Sequence, residues 1–430
     1  MADSTSTLDT LNFPGQVNVL RCDLISHSGR SVDISAILGE LSLYEDMFSN
    51  TMSGHVFLED ALDLVNTLPI VGQEMLVLEL QTPSFKKIIK KSFYIYKLEH
   101  RIFNARSSQY MLQFCSTELI NSANIKVSRA FSGKIHDTVK TLFCEPPYGD
   151  ERYLASKAQL FYEPTRNSLE FIAPYWTPLQ TINWLCEKAL NERGAANYLF
   201  YETNQSFEFY SLDNLLHNGP VAKYTYGDSG SRTVSPEENF EKTFGLVESI
   251  ETDVGFDYLR SLASGMYGSV LYTFDTTSKT MSRTIYDYLK DFDENYHAEK
   301  YPLNASDLIF KKQASMHHLL KNNHLHGDNQ PITYSEFYQR RNSLLAQIQA
   351  FKFNINVFGR TDIRVGDIVH FEMIAKKEIT GSEIDDPTKM LARDFAGRCI
   401  VTAIRHSITQ GVHKMKMEIA SESFAEKVKD

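Results

Sequence analysis

Two blocks of period-two alternation, one near each end of the chain, exclude most folds for this sequence. In "NVLRCDLIS" (18–26) Leu20, Cys22 and Leu24 alternate with Arg21 and Asp23. Far downstream, Phe353, Ile355 and Val357 alternate with Asn354 and Asn356, and Met415, Met417 and Ile419 alternate with Lys414, Lys416 and Glu418. Successive side chains of a strand point to opposite faces, so such segments bury one face and wet the other. The first block continues with strands expected at about 38–48, 54–59, 74–81, 92–103 and 108–116, separated by Ser53-Gly54, Gly72 and Pro83. The second turns at Gly359–Asp362 and again at Val365-Gly366-Asp367, then runs through Val369, Phe371 and Met373 to "RCIVTAIRHSIT" (398–409). Several strands at short spacing predict a closed or nearly closed antiparallel sheet at each end.

Between the blocks the period changes. "SGKIHDTVKTLF" (132–143) places Ile135, Val139 and Leu142 at helical spacing, with Ser132 as the expected N-cap. "TPLQTINWLCEKALNERG" (177–194) is a stronger helix: Thr177 caps, Pro178 takes the first position, and Leu179, Ile182, Leu185 and Ala189 form one stripe. Gly194 is expected to end it in the left-handed conformation. A hairpin follows over 197–212, turning at Asn204-Gln205, and 218–243 reads as an exposed loop. A strand is expected over 267–275, a helix over 282–296, no clear period over 297–333, and a helix over 335–350 capped by Ser335, with Phe337, Arg341, Leu344 and Ile348 on one side. The fold class is therefore α+β: two antiparallel, barrel-like β sets with α/β insertions. The expected division is a flexible 1–16, a first β domain 17–120, an inserted α+β domain 121–243, a segment 244–275 contributing to the second β set or its junction, a helical and loop insert 276–344, a second β domain 345–424, and a tail 425–430.

Composition narrows the function classes. A formal charge of −10 argues against gripping DNA nonspecifically, which needs clustered Lys and Arg. The basic run Lys86, Lys87, Lys90 and Lys91 reads as a solvated loop, with a rim contact for an acidic partner as the alternative. The 27 Phe and 22 Tyr suit pleated surfaces. Five cysteines at 22, 115, 144, 186 and 399 form no C-x-x-C pair, and Cys22 and Cys115 read as small buried hydrophobes, which implies a reducing compartment. "MADSTSTLDTLNFPG" lacks the basic and apolar regions of a signal peptide, and no window has the length of apolar sequence that inserts in a membrane.

No residue set carries chemistry well enough to name a catalytic, cofactor-binding or metal site, and no cofactor is expected. His317, His318, His324 and His326 crowd one segment but lack the i, i+4 spacing of helical ligands. They read as a polar loop, with a weak metal site or a pH-sensitive contact as alternatives. Glu45-Asp46 and Glu59-Asp60 sit on strands, where neighbours diverge. Asp291, Asp293 and Glu294 read as helix surface, and Asp385-Asp386-Pro387 as a turn. "GMYG" (265–268) is too short to cradle phosphate and reads as a strand entry, and the sequence motifs of serine hydrolases, zinc proteases and nucleotide-binding loops are absent.

Three stretches carry a resemblance: "LSLYEDMFSNTMSGHVFLEDA" (41–61), "LASGMYGSVLYTFDTTSKTMSRTIYDYL" (262–289) and "RRNSLLAQIQAFKFNINVFGRTDIRVGDIVHFEM" (340–373). In order and spacing they resemble the central baseplate hub protein of contractile-tailed bacteriophages, which is related to the hub part of type VI secretion spike proteins. The resemblance implies two tube-like barrel domains per subunit and a homotrimer that imitates a sixfold ring. It implies as partners the tail tube protein, a separate central spike protein, baseplate wedge proteins and the tape-measure protein, with DNA in transit through the lumen. It implies no enzyme activity, no membrane insertion, assembly in the bacterial host cytoplasm and residence in the virion tail. A hub of a non-phage contractile injection particle and a baseplate-associated cell-wall hydrolase are the rival readings. The hydrolase needs converging carboxylates or a zinc triad.

Overall fold

Among the described residues, seven strands form before residue 117: β1 (Asn18–Ile25), β2 (Ser31–Asp33), β3 (Leu38–Asp46), β4 (Ser53–Asp60), β5 (Met75–Gln81), β6 (Ile88–Phe103) and β7 (Ser108–Ser116). The structure is a computed structural model and describes residues 13–61, 64, 68, 70–83, 85, 87–103, 107–144, 153–227, 243–251, 257–276, 278–303, 315–320, 334–373 and 397–425. Two details of the first set depart from the alternation. Leu20 is exposed, because the register of β1 against β5 shifts between Val19 and Arg21 and leaves it unmatched. Lys90 and Lys91 lie within β6 rather than in a loop, because Leu78 to Leu80 pair with Lys91 to Ile89 and extend the ladder backward.

The middle of the chain alternates helix and strand: α1 (Thr117–Asn124), β8 (Ala130–Lys134), α2 (Ile135–Phe143), β9 (Leu160–Tyr162), β10 (Ser168–Ile172), α3 (Pro178–Cys186), β11 (Tyr198–Glu202), β12 (Phe207–Ser211) and α4 (Leu212–His217). At α3 the Gln180 N–H donates to Thr177 Oγ1 at 3.2 Å and the Thr177 N–H to Gln180 Oε1 at 3.0 Å, a complete capping box with Pro178 behind it. Leu179, Ile182, Leu185 and Ala189 are all buried, as the stripe requires. The helix stops at Cys186, so Gly194, at φ +83°, serves a later turn and not the helix end. Ser132 lies inside β8 and Lys134 stands at the start of α2 without a side-chain cap. The core of this part gathers Val139, Phe143, Leu185, Phe200 and Phe207.

Then come β13 (Ala222–Tyr226), β14 (Val247–Glu251), α5 (Tyr258–Ser264), β15 (Gly268–Asp275), β16 (Thr280–Asp287), α6 (Tyr288–Asp291), β17 (Tyr301–Pro302), β18 (Ser315–Leu320), α7 (Tyr334–Ala350), β19 (Lys352–Phe358), β20 (Ile368–Met373), β21 (Gly397–Thr409), β22 (Val412–Ala420) and β23 (Ser423–Phe424). The first part of the helix expected over 282–296 is strand, since Thr280–Asp287 pairs residue for residue with β15, and α6 with a 3-10 turn over Phe292–Glu294 follows it. Ladder pairing overrides the weak helical spacing there. Ser335 is the second residue of α7 and not its cap.

The two end sets meet in a single sheet of thirteen strands, ordered β14-β19-β22-β21-β3-β4-β7-β6-β5-β1-β2, with β20 and then β13 branching from β21. The sheet is predominantly antiparallel, and the class is α+β. The strand path does not close into a barrel among the described residues. A single bridge from Thr225 to Leu246 brings β13 beside β14. The two sets are joined by β3 and β21, where Glu40–Asp46 pair antiparallel with Thr409–Ala403. Their cores are interleaved: Ile408 of β21 belongs with Leu41, Leu43 and Phe114, whereas Ile400 and Ile404 of the same strand pack with Ile355, Met417 and Phe371. Met47, just past β3, crosses the other way into the second core.

Candidate functional site

The seam between β3 and β21 gives the sheet a continuous solvent face. Register places Asn354, Asn356, Lys414, Lys416, Glu418, Arg405, Ser407, Glu40, Ser42, Tyr44 and His55 on that face, opposite to the buried Ile355, Met417, Ile404 and Leu43. Its cations from β19, β21 and β22 each hold a carboxylate: Lys414 to Glu248 at 2.8 Å, Lys416 to Glu251 at 2.5 Å, Lys352 to Glu418 at 2.7 Å and Arg405 to Glu40 at 3.2 Å. The wall is charged but locally neutral. At one end of it a cleft of about 310 Å3 opens between α5, α7 and β19, lined by Asp257, Arg260, Gln349, Lys352 and Glu418.

Under the seam the β11–β12 hairpin inserts its tip. Glu202 is buried and accepts from the Met52 N–H at 2.9 Å, from Ser116 Oγ, and from Lys91 Nζ at 2.7 Å. Two residues on, the Asn204 N–H donates to Glu45 Oε2 at 3.2 Å and its side-chain amide to the Ile363 carbonyl at 3.0 Å. The tip is thereby bonded to the first set, the seam and the second set together. Farther along the hairpin, Glu208 pairs with Arg364, and burial raises the Glu208 and Asp367 pKa values against the pull of that guanidinium. Gly366 sits at φ +87° with its Cα against the Tyr201 hydroxyl: a Cβ there would lie 2.5 Å from that oxygen. Beside Asn204 a buried hydrogen-bond chain runs across three strands: Glu45 Oε1 to His406 Nε2 at 2.9 Å, and His406 Nδ1 to His413 Nε2 at 3.0 Å.

A second surface is apolar. β15, central in a small sheet, pairs with β16 and β18 so that Val270 aligns with Ile285 and Met316, Tyr272 with Arg283 and His318, and Phe274 with Met281 and Leu320. The reverse face packs on α7, where Gln339 Nε2 donates to the Ser269 carbonyl at 2.9 Å and Ser343 Oγ to the Met266 carbonyl at 2.6 Å. The aligned face is open, with Met281 66 % and Leu320 57 % exposed beside exposed Phe274, Ile285 and Met316.

The residues singled out in the sequence are dispersed. His317 and His318 are neighbours on β18 and point to opposite faces: His318 stacks on Tyr272 with ring centres 5.2 Å apart, and His317 meets the edge of Tyr338. His324, His326, Lys86 and Asp385-Asp386-Pro387 lie outside the described residues. Glu45 and Asp60 are buried and bonded, not solvated. Asp60 accepts from the Leu64 N–H at 2.8 Å and from Tyr110 Oη at 3.1 Å, while Asp46 and Glu59 face out. Asp291 is held by Arg340 at 2.9 Å. Among the described residues no group of three or more His, Cys, Asp or Glu has the arrangement of a metal site, and no helix is long and apolar enough to cross a membrane. All five cysteines are unpaired. Burial pushes the Cys22 and Cys186 thiols up to about 12 and Cys115 to about 11, which leaves them protonated and unreactive. The sequence reading missed His406 and His413. The signal was the Gln410-Gly411 pair, both at positive φ, which makes a tight hairpin and sets the two rings diagonally on one face.

A sheet of this order, carrying an α/β insert between its halves, defines a fold found in tail proteins. The structure is similar to the tail protein from Neisseria meningitidis MC58, with a TM-score of 0.54 at 12 % identity over 93 % of this chain and 96 % of that one. It is likewise similar to the 43 kDa tail protein of prophage MuSo2 from Shewanella oneidensis, with a TM-score of 0.53 at 7 % identity over 94 % of this chain and 98 % of that one. No family model and no curated protein sequence matches the chain. At these identities the likeness establishes a shared fold.

Proposed function

We propose that the chain is a structural hub subunit of a contractile tail, joining the tail tube to the central spike. The observation that carries this reading is the seam: two β sets lie side by side in one sheet, so three subunits present six comparable wall segments around an axis. Each set acts as a tube-like domain, the first over 17–120 and the second over 345–424, with the insertions outside the ring. Closing the ring covers the sheet edges that a lone subunit leaves free. The polar seam face lines the lumen. DNA binding is driven by release of counterions when free Lys and Arg meet phosphates, and here those cations are already neutralised by Glu248, Glu251, Glu418 and Glu40. Such a wall lets a polyanion pass without holding it. The apolar face of β15, β16 and β18 serves contacts with baseplate neighbours.

The test is assembly. Light scattering of the purified chain with and without its spike partner is expected to give a trimer, and electron microscopy a ring with sixfold appearance. A chain that stays monomeric with the spike present, or that hydrolyses peptidoglycan, defeats the reading.

A further inference from the structure

We propose that Glu45, His406 and His413 form an acid-sensitive latch that holds the two β sets together at the seam. The three side chains come from β3, β21 and β22, and all are almost fully buried on the core side of the sheet. When both rings are neutral, the bonding fixes the protons. His406 Nε2–H donates to Glu45, so His406 Nδ1 accepts, and His413 Nε2–H supplies that bond. His413 Nδ1 is then a bare acceptor, and it has no hydrogen-bond partner. Adding one proton to either ring places an N–H at that atom. This holds whether the proton goes to His413 or to His406 with the bond between the two rings reversed. Among the described residues no acceptor stands there. The Gly359 backbone presses so close that a Cβ on it would lie 2.0 Å from Cγ and 2.3 Å from Nδ1 of the His413 ring.

Among the described residues Glu45 is the only carboxylate hydrogen-bonded to the two rings. The Asn204 N–H already donates to Glu45, and the Gly15 carbonyl accepts the His413 backbone N–H at 2.6 Å. Arg405, Lys414 and Glu40 stand on the same strands but face the polar wall. Burial and the neighbouring His406 both depress the His413 pKa, in line with this geometry. A histidine whose folded pKa is lowered costs stability as pH falls below its unfolded value of about 6.5, and the loss continues down to the folded value. The cost falls on the β3–β21 ladder, the strand pairing that joins the two sets. The inference is independent of the hub reading.

Hydrogen exchange on the intact chain tests it. After correction for intrinsic rates, opening of the 40–46 and 403–409 amides is expected to rise by close to tenfold per pH unit below about 6.5, while β15 and β16 change far less. His413→Gln is expected to flatten that slope; a slope that persists overturns the proposal. Should the variant fail to fold, ring-nitrogen resonances of the wild-type chain decide. A neutral His413 while the seam is closed supports the latch. A His413 that titrates near 6.5 with no rise in seam exchange overturns it.

Discussion

Lys91 Nζ lies 2.7 Å from Glu202 Oε1, and the pair joins a strand of the first β set to the hairpin of the inserted domain. Both side chains are nearly removed from solvent, so breaking the pair leaves an uncompensated charge. Glu202→Ala also strands the Met52 N–H. The variant is expected to lose about 3–5 kcal/mol in urea unfolding. Lys91→Met/Glu202→Gln is expected to lose less than Glu202→Ala, because no lone charge remains.

Gly366 turns the chain where no other residue fits without strain. Its φ of +87° is in the left-handed region, and an added Cβ would lie 2.5 Å from the Tyr201 hydroxyl. Gly366→Ala is expected to cost at least about 1–3 kcal/mol from backbone strain, plus the clash. Adding Tyr201→Phe is expected to restore part of that loss, so the two changes are non-additive in a double-mutant cycle.

His297 gives a pH dependence of the opposite sense to that of the latch. Burial opposes its charge, but the Glu422 carboxylate 3.1 Å from Nδ1 and the Phe292 carbonyl 2.8 Å from Nε2 outweigh it and raise the pKa. A raised folded pKa adds stability that is fully present below the unfolded value of about 6.5 and disappears as pH climbs through the folded one. Unfolding measured across neutral to mildly alkaline pH is expected to show this decline in the wild type and its absence in His297→Gln.

The neutral wall is testable by removing its acids. Glu248→Gln/Glu251→Gln frees Lys414 and Lys416. Retardation assays are expected to show DNA binding that the wild type lacks, weakened by salt with a log–log slope of up to about −0.9 per freed cation. Because both pairs are exposed, folding stability is expected to change by less than about 1 kcal/mol.

The apolar face of the small sheet supplies a fifth experiment. Met316→Asp/Leu320→Asp changes side chains that already meet solvent, so the fold is expected to survive within about 0.5 kcal/mol per site. On the hub reading, incorporation into assembled baseplates, followed by complementation, is expected to fail.

The strands were legible because alternation reports directly on burial: Phe353, Ile355 and Val357 are buried while Asn354 and Asn356 are not. Thr177 and Gln180 announced their helix through a local hydrogen-bond pattern that needs no tertiary partner. What escaped the sequence was long-range. Nothing near Glu45 indicates that its carboxylate meets His406, 361 positions away, so a buried acceptor read as solvated charge. Likewise, Thr280–Asp287 has helical spacing, and only its ladder with β15 makes it a strand.

The distance between β3 and β21 along the chain also sets an order of events during synthesis. At about 5–20 residues per second, β3 leaves the ribosome tens of seconds before the strand that pairs with it exists. Throughout that interval its outer edge is an unpaired row of amides and carbonyls, open to the same strand on a neighbouring nascent chain. A cell making this protein must therefore shield Leu38–Asp46 until Gly397–Thr409 arrives, and slowed translation between the two strands is where misassembly would first be seen.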